Sequence, residues 1–119
     1  MQKECPVYGV VDFVGKRWTL LILLELYKGE HKRKRYTHIK NSLPNITPKI
    51  LSARLKELEK QGMLKKQISA KTFPIKSEYY LTPRGEDFIK IIKGIKRWGL
   101  KWKISNEHCE TMNCEECDF

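Results

Sequence analysis

At 119 residues the chain has room for one domain with a modest core, because small chains bury a smaller share of their surface on folding, and no room for a second. No stretch of about 18 apolar residues could span a bilayer, and the start, Met1-Gln2-Lys3-Glu4-Cys5-Pro6, lacks the apolar run of a secretory signal, so a cytoplasmic protein with no membrane partner is expected. The formal charge is +10, and because five acids and no Lys or Arg follow Ser105, the part before it carries all 24 Lys and Arg against nine acids, which points to a polyanionic partner more than to solubility alone.

In chain order, a short N-terminal segment leads to a first helix over 16–27, where Trp18, Leu20, Leu21, Ile22, Leu23, Leu24 and Leu26 make it apolar nearly all round, as suits the centre of a small domain. Gly29 stops it, and Glu30-His31-Lys32-Arg33-Lys34-Arg35 reads as a charged loop. Tyr36, Ile39 and Leu43, spaced by three and four, predict a short helix over 35–42 that ends before Pro44. Thr47 is a good N-cap and Pro48 suits the first helical position, opening a helix to about Gln61 with Leu51, Leu55 and Leu58 on one face and Gly62 as its stop. Two short helices joined by a tight connection form a helix-turn-helix unit.

Beyond Gly62 the period changes to that of two short strands, around Leu64, Lys66 and Ile68 and around Ser77, Tyr79 and Leu81, with Lys71-Thr72-Phe73-Pro74-Ile75 as a long hairpin tip. This is where a wing would lie. Thr82-Pro83 repeats the cap-plus-proline signal and opens a helix to about Trp102, with Phe88, Ile91, Ile92, Ile95, Trp98 and Trp102 on one broad stripe expected to bind a second copy. The fold class expected is α+β, mostly α: a winged helix-turn-helix with a two-stranded wing and a C-terminal dimerisation helix over 1–104, followed by an acidic, cysteine-bearing tail over 105–119.

The second helix of the pair is the expected DNA reader. With its leucines anchored in the core, Thr47, Pro48, Lys49, Ser52, Ala53, Arg54 and Lys56 are left for a groove. Arg and Lys donate to guanine O6 and N7, Ser and Thr serve a base or a phosphate, and Ala touches a thymine methyl. Arg33, Lys34 and Arg35 before the first helix of the pair, and Lys71 and Lys76 around the hairpin, are expected on phosphates, setting register while the helix reads double-stranded DNA.

From Cys5 to about Trp98 the sequence resembles the HxlR-type winged helix-turn-helix regulators, relatives of the MarR group. The residues that carry the resemblance are Cys5-Pro6-Val7, Gly15-Lys16-Arg17-Trp18 with Leu21-Ile22-Leu23-Leu24-Glu25-Leu26, and Leu43-Pro44-x-Ile46-Thr47-x-Lys49-x-Leu51. Leu55-x-x-Leu58-x-x-x-Gly62-x-Leu64, Pro74-x-x-x-Glu78-Tyr79-x-Leu81-Thr82-x-x-Gly85 and Trp98 continue it. The resemblance implies a homodimer whose terminal helices pack across the two-fold axis, a palindromic operator, and a sensing role for Cys5, since family members use the cysteine of the Cys-Pro motif against quinones, aldehydes or oxidants. A thiol beside Lys3 in a basic domain suits that role, while the alternative is a cysteine simply packed at the dimer helix. The loop after Gly29 is longer than the family's, and nothing in the family pattern accounts for the tail.

His108-Cys109-x4-Cys114-x2-Cys117 offers four ligand types for a tetrahedral zinc, which would make a metal-responsive regulator; inert thiols or disulfide switching are the other readings of the tail. Otherwise no cofactor is required. An enzyme is not expected: Cys114-Glu115-Glu116-Cys117 lacks the following helix that a redox pair needs, and no phosphate loop, nucleophile elbow or His-Glu metal motif occurs. A non-catalytic protein-interaction module built on the apolar C-terminal helix is the remaining alternative. A small-molecule or oxidant inducer completes the expected partners.

Overall fold

A computed structural model describes residues 1–69, 71 and 73–117, so Thr72 of the expected hairpin tip and Asp118 of the acidic tail lie outside the described residues. Six helices and three strands follow in the order α1 (Pro6–Val14), α2 (Thr19–Tyr27), β1 (Lys34–Arg35), α3 (Tyr36–Ser42), α4 (Pro48–Lys60), β2 (Leu64–Ser69), β3 (Lys76–Leu81), α5 (Pro83–Trp102) and α6 (Glu107–Thr111) among the described residues. The expected hairpin, β2 against β3 with Leu64 opposite Leu81, gains a third antiparallel strand where a loop was expected: Lys34 pairs with Tyr79 and Arg35 with Glu78, giving the order β1-β3-β2.

The core is one cluster. Ile22, Leu23 and Leu26 of α2 meet Ile39, Leu43 and Ile46 around α3, Leu51, Leu55 and Leu58 of α4, and Ile89 and Ile92 of α5. The apolar surround of α2 is therefore not buried throughout: Leu20 and Leu24 are half-buried and Leu21 is exposed. Burial removes about 1.5–3 kcal/mol of unfavourable hydration per large aliphatic side chain, so the leucines of α4 fix its roll and its outward face.

Local signals set the helix ends. Thr47 Oγ1 accepts from the Ile50 N–H at 3.2 Å, and Thr82 Oγ1 accepts from the Gly85 N–H at 3.2 Å while donating to the Gly62 carbonyl at 2.5 Å. Gly62 follows α4 with φ +75°, a left-handed conformation that side chains disfavour. Gly85 has a different reason to be glycine: a Cβ there would stand 2.1 Å from the Met63 carbonyl oxygen, so α5 crosses the backbone after α4 too closely for any side chain. The turn between α3 and α4 holds Asn45 at φ 71°, a residue type that tolerates this region.

Candidate nucleic-acid interface

On α4 the buried face is Leu51, Leu55 and Leu58, and the exposed residues include Thr47, Pro48, Lys49, Ser52, Ala53 and Lys56. Arg54 sits between the faces, half-buried, its Nε donating to the Arg17 carbonyl at 3.4 Å, which ties α4 to the chain ahead of α2. Lys16 Nζ meets Glu57 at 2.6 Å in the same place. At the N-terminal end, Tyr36 Oη donates to the Pro48 carbonyl at 3.1 Å and lies 3.5 Å from Ser52 Oγ, so α3 holds the first turn of α4 through one phenol. Sequence reasoning passed over Tyr36 and Arg17 as site residues; Tyr36 was legible only as a helical apolar position, and nothing local marks an arginine whose carbonyl is the used atom.

The basic segment ahead of α3 divides. Arg33 and Arg35 are exposed, with the Arg33 guanidinium 4.5 Å over the Tyr80 ring of β3. Lys34 corrects the expectation of a phosphate contact: it is only 8% exposed, and its Nζ donates to the carbonyls of Leu26 at 3.3 Å, Lys28 at 2.5 Å and His31 at 3.0 Å. A strand alternates its side chains, so placing Arg33 and Arg35 outward turns Lys34 in, where it meets carbonyls at the end of α2 and in the segment that follows. Burial lowers its pKa from the ordinary lysine value; Glu25 opposes that shift and Lys32 adds to it. Tyr79, opposite Lys34 on β3, is raised by burial and secondarily by Glu59 and Tyr36. Lys71 is exposed at the hairpin tip, and Lys76 is half-buried at the start of β3.

The apolar stripe of α5 also divides. Ile92 lies in the core, which removes it from the expected dimer contacts, and Phe88 is half-buried against that core, because the stripe is wider than one interface. Ile91, Ile95, Trp98 and Trp102 do face outward, the tryptophans 62% and 66% exposed. Helix α1 adds Val7, Tyr8, Val10 and Val11 to the exposed apolar surface and buries none of its own residues.

Cys5 is a half-buried thiol at the N-cap of α1, whose Pro6 stands at the first helical position. The tail is not a loose extension. Asn106 Oδ1 caps α6 by accepting from Cys109 N–H at 3.2 Å, Lys96 Nζ donates to the Met112 carbonyl at 2.7 Å, and the Gly29 N–H donates to the Glu115 carbonyl at 2.7 Å. Cys109, Cys114 and Cys117 are brought to one cavity, and Cys117 Sγ lies 3.9 Å from His108 Nε2. Yet among the described residues no three His, Cys, Asp or Glu side chains are gathered closely enough to hold a metal ion, so the zinc site that the spacing allows is not formed; the thiols stand around a cavity rather than around a point. No helix among the described residues is long and apolar enough to cross a membrane.

A helix pair joined by a tight turn, a second helix with an exposed Lys/Ser/Ala face and an adjoining β-hairpin define a DNA-binding transcription regulator of the winged helix-turn-helix class, which is not an enzyme. Residues 13–107 match the HxlR-like helix-turn-helix family, and the chain belongs to it. The HTH-type transcriptional regulator YvaP of Bacillus subtilis is 37% identical over 99 residues, covering 82% of this chain and 88% of that protein. Among solved structures, a transcriptional regulator of the MarR family from Porphyromonas gingivalis W83 superposes with a TM-score of 0.77 at 33% identity, covering 86% of this chain and 96% of that one. The reduced form of YodB from B. subtilis gives 0.72 at 30%, covering 90% and 100%; YodB is also known in diamide-treated and quinone-bound forms.

Proposed function

We propose that the protein is a homodimeric repressor that reads palindromic operator DNA with α4 and responds to oxidants or electrophiles through Cys5. The observation that carries the reading is the two-sidedness of α4: three leucines locked in the core leave Lys49, Ser52, Ala53 and Lys56 outward on a helix whose first turn is braced by Tyr36. In the major groove these residues meet base edges, while the unpaired N–H groups at the helix start meet a phosphate. Arg33 and Arg35, one strand away from the hairpin through β1–β3 pairing, and Lys71 and Lys76 on the hairpin itself serve flanking phosphates. Arg54 keeps its guanidinium partly engaged with the Arg17 carbonyl, so its part in reading is smaller than that of Lys49.

Homodimerisation is supported by the outward apolar surface of α1 and α5, which a lone soluble molecule would leave to water. A two-fold pair would set its two α4 helices in successive major grooves about 34 Å apart. Such a dimer on its operator blocks transcription by occupancy. Cys5, at the positively polarised start of α1 and so next to that apolar surface, can alter the spacing of the readers when oxidised or alkylated. The test is operator affinity by fluorescence anisotropy. Lys49→Ala weakens binding by about 1–3 kcal/mol if the lysine contacts a base, and Cys5→Ser keeps the affinity but loses its response to diamide or a quinone. Unchanged binding by Lys49→Ala overturns the reader assignment, and an undiminished response in Cys5→Ser overturns the sensor.

A further inference from the structure

The tip of the hairpin carries an apolar group that the reading above does not use. β2 and β3 pair from Leu64 opposite Leu81 to Ser69 opposite Lys76, and Thr82 then caps the start of α5. The tip therefore stands at the far end of a ladder about 17–20 Å long, away from the start of α5. There Phe73 is 99% exposed, with Ile75 at 64% and Ile68 at 58%. Full exposure means that the Phe73 ring adds nothing to the core, whereas three large apolar side chains near one tip form a contact surface. The surroundings point to the partner. Between Leu64 and Ser77 the sequence has four lysines, Lys65, Lys66, Lys71 and Lys76, and no acid. Such a frame repels a second copy of itself and suits a polyanion with an apolar interior, which duplex DNA offers as stacked bases between two phosphate strands. The hairpin also adjoins the reader, since only Gln61, Gly62 and Met63 separate α4 from β2.

We propose that Phe73 enters the minor groove beside the major groove read by α4, wedges between two base pairs at a pyrimidine–purine step, and bends the duplex. This use of Phe73 rests on the reading of the hairpin as a DNA-contacting wing. The minor groove, about 6 Å wide, admits a single side chain but not a helix. A phenyl ring makes no hydrogen bond to a base edge, so it acts by replacing base–base stacking with base–ring contact. Opening a step costs least at TA and CA/TG, which unstack most easily. The ring therefore selects sequence through deformability, at a position that no polar side chain needs to touch. Lys71 and Lys76, on either side of Phe73 in the chain, hold the phosphates that flank the opened step.

The full-length protein is titrated onto duplexes of the DNA upstream of its own coding sequence, with a fluorescence donor and acceptor at the two ends. The parent is expected to bring the ends together. Phe73→Ala is expected to leave the duplex unbent, to bind about tenfold more weakly, and to keep the parent's salt dependence. Because the ring is 99% exposed, the variant folds as the parent does. Replacing each pyrimidine–purine step beside the footprint by AA in turn is expected to weaken the parent at one step per half-site and to leave Phe73→Ala indifferent. A Lys71→Ala, Lys76→Ala double variant tests the wing separately, and is expected to lower the slope of log affinity against log salt by about 1.8 in magnitude. An unchanged slope overturns wing and wedge together. With the slope lowered, the same end-to-end distance for parent and Phe73→Ala complexes, or a parent indifferent to every step replacement, overturns the wedge alone. Sedimentation without DNA and flotation with phosphatidylglycerol vesicles are expected to be identical for parent and Phe73→Ala. A difference in either assigns the tip to a second copy or to a lipid surface and overturns the proposal.

Discussion

Lys34 and Arg33 are adjacent bases with opposite tasks. The Lys34 amine gathers three carbonyls at the end of α2, whereas the Arg33 guanidinium lies over Tyr80 at the surface. Lys34→Ala is expected to leave those carbonyls without their donor and to cost about 1–3 kcal/mol in chemical denaturation. Arg33→Ala is expected to leave stability nearly unchanged and, if it contacts a phosphate, to reduce the salt dependence of DNA binding by about one counterion. Tyr79 supplies a pH dependence with a definite sign. Burial raises its pKa above the ordinary 10.0, so its share of stability is full below that value and is lost as pH rises through the folded-state pKa. Lys34 acts the other way: the folded state binds its proton less tightly, so stability from this residue grows as pH rises toward 10.5. Tyr79→Phe should therefore flatten the alkaline loss seen in denaturant midpoints across about pH 9–11, and an unaltered profile would contradict the assignment. The sequence makes the basic character of 32–35 plain, but the inward turn of one lysine depends on β1 pairing with a strand more than forty positions later, which no local pattern displays.

Among the elements, the helices with local signals were the legible ones. Thr47-Pro48 and Thr82-Pro83 carry their caps within three residues, and α5 ends at Trp102 as its periodicity predicts. Helix α1 escaped notice although Pro6 opens it and Val7, Val10, Val11 and Val14 hold a helical spacing, because its N-cap is a cysteine that makes no capping hydrogen bond and Gly9 interrupts it. The docked tail was equally hidden, since its anchors join positions far apart in the chain: the Lys96 amine on the Met112 carbonyl, the Gly29 N–H on the Glu115 carbonyl and the Lys32–Glu115 ion pair. The crossing of α5 over the segment after α4 gives a sharp test at this scale. Gly85→Ala must push a Cβ into the Met63 carbonyl, and is expected to destabilise by about 1–3 kcal/mol and to loosen the hairpin. A thermal midpoint equal to that of the parent protein would show that the crossing is not tight.

For the molecule as a whole, a buried leucine face, an outward basic helix and the exposed apolar surface of α1 and α5 are the parts on which the proposed grip of two half-sites rests. The leucine core face of α4 and its outward face were readable from spacing, whereas the division of the α5 stripe into core and exterior required the position of α2 and could not be read from one helix. The most direct measurement is a hydroxyl-radical footprint of the purified protein on the DNA upstream of its own coding sequence, run beside the Lys49→Ala, Lys56→Ala double variant. The account predicts two protected patches centred about one helical turn, or about 34 Å, apart and absent with the variant. A single patch, no protection, or a footprint that the variant reproduces would contradict it.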